Sequence, residues 1–296
     1  MEGRSQAEVA TALSTSRPNV SRMLAEAQRR GIVEIRINHP DGRAPDLESQ
    51  LERTFGLTTA RVARRGPGTA LDESGRLAAR LLVDSLEDGS TLALSWGHAL
   101  QSLVRSVDVD RDHDVTLLQL LGGTSAVGHG VSGQELVREL ASRLGADYRP
   151  LHAPATLRSA EATRTVVAEE SVAAALGAAG RARLAFVGVG TPRTGSSAAV
   201  LESLDLSTEE QRAFWDAGPV GDLAGRFYDA DGVPVTGPVD DRVVGVSLDG
   251  LRGIHHVVGV ASGREKALAV VAALRGGHLG SLVCDETLAR ELLLAA

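Results

Sequence analysis

Lysine is almost absent from this chain of 296 residues. Of its 31 basic residues, 30 are arginine. The exception, Lys266, stands in "ASGREKALAV", three residues after a glycine. Cysteine is equally scarce. Cys284 is alone, which excludes an internal disulfide and a cysteine-built metal site and points to a reducing compartment. Aromatic residues make up 3% of the chain, so a core has to be built from Ala, Val and Leu. No apolar run approaches the ~20 residues that cross a bilayer, and the N-terminus lacks the apolar segment of a signal peptide. These absences predict a cytoplasmic protein with no membrane partner and no metal. Nothing in the composition calls for a cofactor.

What is present is unevenly spread. The net charge is −7, yet residues 1–36 hold six Arg against four Glu. A slightly basic head on an acidic body suggests two tasks. In "SQAEVATALSTSRPNVSRMLAEAQRRGIVEIRI", Ser5 and Glu8 have capping-box spacing. Val9, Ala10 and Leu13 share a face of the helix that this starts. "STS" interrupts it, Ser16 can cap a second helix, and Pro18 is tolerated in a first turn. Val20, Leu24 and Ala27 then recur at helical spacing. Gly31 ends the run, and "IVEIRI" alternates like a strand. Two short helices, a tight turn and a strand predict a winged helix-turn-helix over residues 1–37. Its second helix offers Ser16, Arg17, Asn19, Ser21 and Arg22 near its start. These residue types reach phosphates and base edges, so operator DNA is the expected partner.

"NHPDGRAPD" at 38–46 is rich in breakers and reads as a linker. Beyond it, over 47–296, aliphatic runs alternate with helical periodicity. Strands are expected at 60–63, 91–95, 115–120, 148–152, 184–189, 243–247, 256–260 and 281–284. Helices are expected at 47–55, 72–86, 98–107, 133–144, 160–176, 207–217, 265–274 and 286–294. Such alternation predicts an α/β domain around a mostly parallel sheet. Ligands of such sheets bind at the carboxyl ends of strands, beside helix N-termini. Glycines with nearby Ser or Thr fall at four of those ends, in "LALSWGHAL", "LLQLLGGTS", "FVGVGT" and "VVGVASGREKA". Together they suggest one converging anion site.

The head, and then "SWGHAL", "LLQLLGGT", "LHAPATLRS", "AFVGVGT", "VGDLAGRFYDADG", "VVGVASGREKALAVVAALRGG" and "LVCDETLA" in that order, resemble SorC-type sugar-responsive transcriptional regulators across the whole chain. The resemblance implies a Rossmann-like domain of the sugar-phosphate isomerase and glucosamine-phosphate deaminase kind behind the winged head. It implies that Lys266 faces a bound sugar phosphate. Lysine is a compact charge with rotatable donors, whereas arginine needs room for a planar fork. A cramped pocket would accept the first and reject the second. The resemblance also shows departures. Ser14 replaces the usual turn glycine, and Ala99 stands where threonine is usual. One further helix would normally precede "MEGRS", so either the true start lies upstream or the head lacks a packing partner.

The expected effector contacts are Ser95, Gly97, His98, Gly122, Gly123, Thr124, Gly190, Asp222, Arg226, Gly263 and Lys266. Asp222 follows Gly221 and could take sugar hydroxyls or cap a turn; the resemblance favours the hydroxyls. Arg226 could pair with Asp222 or with phosphate. Asp229 and Asp231 read as turn residues with Gly232. His255 and His256 are adjacent, so on a strand they face opposite sides and share no metal. The resulting expectation is a DNA-binding regulator, a homodimer or homotetramer, whose body binds a small and phosphorylated carbohydrate. The competing reading is a sugar-phosphate isomerase or deaminase. It leaves the head without a role and lacks an acid–base set beyond Asp222 and Lys266.

Overall fold

A computed structural model describes residues 6–29, 42–123 and 132–296. The chain divides into two units, 1–40 and 41–296.

In the first unit, α1 (Gln6–Ala12) packs on α2 (Arg17–Arg29). Pro18 lies in the first turn of α2, where its missing N–H costs no helical bond. The carbonyl of Ser16 opens the helix by accepting from Asn19 and Val20 at 2.9 and 3.1 Å. Ala10 and Val20 are buried. Leu13 and Leu24, expected on the inner faces, are 58% and 42% exposed. Leu13 lies past the end of α1, and among the described residues of this unit only α1 packs on α2. Ser14 turns the chain with φ at +49°, a left-handed conformation that glycine adopts without steric cost. The expected wing strand lies outside the described residues.

The second unit opens by fastening its own N-terminal strap. Ala44 N–H donates to Val62 O at 2.9 Å, and Arg64 N–H donates to Gly42 O at 2.8 Å. Arg43 grips the buried Glu48 carboxylate, which also accepts Val62 N–H at 2.9 Å. Glu48 belongs to α3 (Pro45–Phe55), which starts with proline and stops at Gly56 in the left-handed region. The helix therefore starts inside the expected linker.

Then follow β1 (Thr59–Ala63), α4 (Ala70–Asp84), β2 (Ser90–Leu94), α5 (His98–Ser106), β3 (Val115–Gln119), α6 (Gly133–Leu144) and β4 (Asp147–Arg149). The chain continues through α7 (Ala160–Ala168), α8 (Glu170–Ala179), β5 (Leu184–Gly190), α9 (Gly195–Ser203) and α10 (Thr208–Asp216). Two short strands, β6 (Gly221–Leu223) and β7 (Arg226–Tyr228), precede α11 (Leu248–Arg252) and β8 (Val257–Val260). A 3-10 turn (Arg264–Lys266), α12 (Ala267–Arg275), β9 (Ser281–Asp285) and α13 (Glu286–Leu294) complete it.

The main sheet runs β1-β9-β8-β5-β2-β3-β4, and every pair in it is parallel. One large apolar cluster packs α3, α12 and α13 on the sheet, and another packs α4, α5 and α6. The chain leaves β2 toward β3 and leaves β5 toward β8. That reversal opens a crevice at the carboxyl ends of β2 and β5.

Four expectations need correction. The helix expected over 160–176 breaks at Glu169, whose ψ of 131° is extended; no glycine or proline marks the break. Segment 243–247 forms only isolated bridges, to Thr156 and Leu121, because it crosses the sheet's end rather than joining it. The strand expected at 148–152 is Asp147–Arg149. The β6–β7 hairpin, α9 and α11 were not expected. The hairpin strands and α11 are too short to show a period, and α9, "GSSAAVLES", is made of small and polar residues with no sustained apolar stripe.

Ser14 supplies a test within the first unit. A left-handed L-residue costs about 1–2 kcal/mol, and glycine loses about 0.5–1 kcal/mol more backbone entropy on folding. Ser14→Gly should therefore stabilise this unit by about 0.5 kcal/mol, read as slower amide exchange across 6–29. Unchanged or faster exchange would show that Ser14 is not strained.

Candidate functional site

A cavity of about 150 Å³ occupies the crevice. The turn after β2 supplies one side. Gly97, with φ at +123°, precedes α5 and offers no side-chain cap, so among the described residues no side chain caps its first turn. His98 is exposed and lines the cavity, as do Trp96 and Ala99. Ser95 lies behind them: its hydroxyl accepts Gly188 N–H at 3.2 Å and ties β2 to β5.

The end of β5 and the start of α9 form a second side. Thr194, the residue before α9, likewise makes no cap; its hydroxyl bonds Thr191 at 2.7 Å. Gly195, Ser196 and Ser197 line the cavity. Asp222, on β6, is buried beside them. Its Oδ1 accepts the Ser197 hydroxyl and its Oδ2 accepts Gly225 N–H at 3.0 Å. Burial pushes the Asp222 carboxyl above its usual range, against the weaker pull of those donors and of Lys266. Gly190 is required here, since a Cβ on it would overlap both Asp222 and Ser197.

The third side follows β8. Ser262 Oγ and Gly263 N–H both donate to Asp285 Oδ1, at 3.2 and 2.7 Å. The other oxygen of Asp285 caps α13 through Thr287 and Leu288 N–H. Asp285 thus sets the turn from which Lys266 enters the cavity, and the sequence reading missed it. Its signal was an aspartate between a strand and a helix, the pattern of an N-cap. Lys266 is half-buried and lines the cavity. Desolvation lowers its pKa, opposed by Asp222 and Glu265. Tyr228, also missed, donates from its buried hydroxyl to Ala269 O at 3.0 Å and binds the hairpin to α12. Burial holds that hydroxyl well above the usual tyrosine value.

Of the expected contacts, Gly97, His98, Gly190, Asp222 and Lys266 line one cavity. Gly263 adjoins it in the turn. Thr124 lies outside the described residues. Gly122 and Gly123 instead pair with the 153–155 strap and with Val244. A Cβ on Gly122 would overlap the Pro154 backbone. Arg226 meets neither Asp222 nor the cavity. Its guanidinium donates to Asp240 O and Oδ1 at 2.6 and 2.9 Å, and to Val243 O and Gly245 O at 3.1 and 2.9 Å. It anchors the 240–245 crossing. Leu71, from the first turn of α4, lines the cavity without having been expected. Among the described residues, no three His, Cys, Asp or Glu side chains are placed to hold a metal ion, and no helix is long and apolar enough to cross a membrane.

On the first unit, Ser16, Arg17, Ser21 and Arg22 are exposed at the start of α2. Asn19 is half-buried, its amide donating to Thr15 Oγ1 at 2.8 Å.

A parallel sheet with a cavity at its carboxyl edge, in a chain that also carries a separate helical unit, fits a ligand-binding regulator. Similarity narrows the class. The family model described as "Putative sugar-binding domain" matches residues 41–294. The transcriptional regulator LsrR of Klebsiella pneumoniae is 34% identical over 301 residues, covering 100% of this chain and 90% of that protein. The deoxyribonucleoside regulator of Bacillus subtilis is 30% identical, covering 98% of this chain and 92% of its own length. The full-length sorbitol operon regulator SorC of Klebsiella pneumoniae superposes with a TM-score of 0.77 at 28% identity, over 98% of this chain and 94% of that one. The chain belongs to the SorC family of transcriptional regulators with a sugar-binding domain. Its relatives are named as regulators, not as enzymes.

The half-buried cation gives the cavity a measurable cost. A lysine whose pKa is lowered in the fold destabilises the ligand-free protein wherever it is protonated in both states. That penalty is full below the folded value and lapses as pH rises to the ordinary value of 10.5. Lys266→Met should therefore melt higher than the parent at pH 7, by on the order of 2 °C, and the gap should close near pH 10.5. A variant that melts lower at pH 7 would show that the cation is not penalised.

Proposed function

We propose that this regulator releases or engages its operator in response to a small phosphorylated sugar held in the cavity. The observation that carries the proposal is convergence. Two nine-residue helices, α5 and α9, both lack side-chain caps and both open into the cavity that holds Lys266. Unused N–H groups and the helix dipole favour an anion at such ends. A phosphate between Gly97–His98 and Gly195–Ser197 would bond those N–H groups and Lys266. Asp222 has both oxygens engaged, so its first role is to hold Ser197 and the hairpin; a sugar hydroxyl would be a further partner. Ser95, Gly122, Gly123, Arg226 and Gly263 act behind the cavity, through the backbone they hold.

The head binds the operator through α2, with Ser16, Arg17, Asn19, Ser21 and Arg22 toward the groove. One half-site per head binds weakly, so the working form is a homodimer or homotetramer acting in the cytoplasm. Effector binding shifts operator affinity to the extent that the two states bind the effector differently.

Two experiments test the two halves. Arg17→Ala and Arg22→Ala should each weaken operator binding in a fluorescence-anisotropy titration with folding intact. A base contact would cost about 1–3 kcal/mol, and a phosphate contact would lower the salt slope by about one. Parental affinity in both variants would remove α2 from the groove. For the cavity, Lys266→Ala should weaken sugar-phosphate binding roughly 10- to 100-fold, the loss of one charge-assisted bond. Lys266→Arg should also bind poorly, since it keeps charge but not shape. Both variants should retain operator binding in the absence of effector. A parental response of Lys266→Ala to a sugar phosphate would overturn the anion site.

A further inference from the structure

Only one side-chain amine in this chain can be acylated, and it stands in the cavity. The other 30 basic residues are arginine, whose guanidinium stays protonated and is no nucleophile. Lys266 is fixed at its backbone and unpaired at its tip. Its N–H donates to Gly263 O at 3.1 Å, and Gly263 N–H is pinned in turn by Asp285 Oδ1 at 2.7 Å. Its Nζ has no hydrogen-bond or ion-pair partner among the described residues. Asp222 shares the cavity, but its two oxygens are engaged by the Ser197 hydroxyl and Gly225 N–H. It attracts the amine without pairing with it.

The surroundings favour the reactive form of that amine. Desolvation outweighs the pull of Asp222 and Glu265 and lowers the pKa of Lys266. A larger fraction is therefore neutral, and so nucleophilic, than in an exposed lysine. The same cavity, about 150 Å³, takes in the starts of α5 and α9, which carry no side-chain caps and favour an anion. A nucleophile and an anion-favouring surface in one small space can hold the two ends of one molecule. A carbonyl carbon joined directly to phosphate matches both ends, and its phosphate is also its leaving group.

We propose that Lys266 is a self-acylating site that takes the acyl group from a short acyl phosphate bound in the cavity. This rests on the reading of the cavity as a phosphate-binding effector site and goes beyond it. The neutral Nζ attacks the carbonyl carbon and forms the C–N bond. The C–O bond to phosphate breaks, its electron pair leaves with the phosphate, and the proton lost by nitrogen ends there. A neutral amine and an acyl phosphate dianion thus give a neutral amide and hydrogen phosphate dianion, with no other reactant. The amide has lost the charge of the lysine. An acylated chain therefore lacks the charge-assisted bond to an anionic effector, and its operator binding is uncoupled from that effector.

Acetyl phosphate is the probe. The full chain and Nα-acetyl-lysine amide, an ordinary exposed amine, are treated together near neutral pH. Peptide mass spectrometry locates the acetyl group, with Lys266→Arg as the blank for that peptide. Lys266 should acetylate at least about tenfold faster than the reference amine, the gain expected of a bound and oriented reactant. The rate should saturate in acetyl phosphate, and inorganic phosphate should slow it. A rate equal to that of the reference overturns the inference. So does a fast rate that neither saturates nor responds to phosphate, which would mark a reactive amine without recognition. Undiminished binding of inorganic phosphate by the acetylated chain overturns the uncoupling. Isothermal titration of the untreated chain with inorganic phosphate, D-ribose 5-phosphate and D-fructose 6-phosphate reads the effector site separately. Binding of any of the three, with acetylation at the reference rate, overturns the inference and leaves the effector reading standing. Binding of none, with acetylation at the reference rate, overturns both.

Discussion

The carboxylate of Asp222 is the tie on which the cavity depends. It sits on a three-residue strand that pairs antiparallel with the last residues of β5. One of its oxygens takes the Ser197 hydroxyl at the start of α9, and the other takes Gly225 N–H in the hairpin turn. Three segments that are distant in sequence are thereby fixed around one buried group. Desolvation opposes its charge, so the arrangement persists only because the donors are in place. Tyr228 extends the tie to α12 through Ala269 O, and Asp285 sets the turn that delivers Lys266. The lysine and the carboxylate thus face one cavity through supports drawn from several segments, of which Ser197 and Gly225 line the cavity themselves.

Stability and function pull apart at this site. A half-buried cation, a buried carboxylate and two uncapped helix ends are each unfavourable in the empty protein. An anion would satisfy the helix ends and the cation together. That is the thermodynamic condition for a sensor, because a ligand can shift an equilibrium only by its different affinity for the two states. The strap at residues 42–44 pairs with the carboxyl end of β1. Seven residues beyond Arg64, Leu71 already lines the cavity. The start of the second unit therefore meets the sheet at its carboxyl edge, the edge where the cavity lies.

Much of this architecture could be read from the sequence where a segment answers only to its own periodicity. Residues 133–144 and 286–294 were expected as helices and are α6 and α13 to the residue. Each has an apolar stripe, a preceding Ser or Asp and no rival pattern. The parallel strands were legible as aliphatic runs followed by glycine, and with them the edge of the sheet where a ligand would sit. Lys266 was legible by its rarity. Arg226 was misread because its four acceptors, from Asp240 to Gly245, come from a segment with no sequence relation to it. Leu71 was overlooked because an apolar residue in an amphipathic helix reads as core until the neighbouring helix is placed.

The sequence by itself determined the alternation of strands and helices, the two-unit organisation and the chemical types available at the strand ends. Those follow from local sterics, capping and hydrophobic period, which act within a few residues. The tertiary structure alone decided which strand-end groups share a cavity, which are consumed as supports, and which apolar side chains line it. Crossovers and a three-residue hairpin set those relations, and their energies come from burial and hydrogen bonds between segments tens of residues apart. No local pattern encodes such contacts, because each exists only when both partners are already in place.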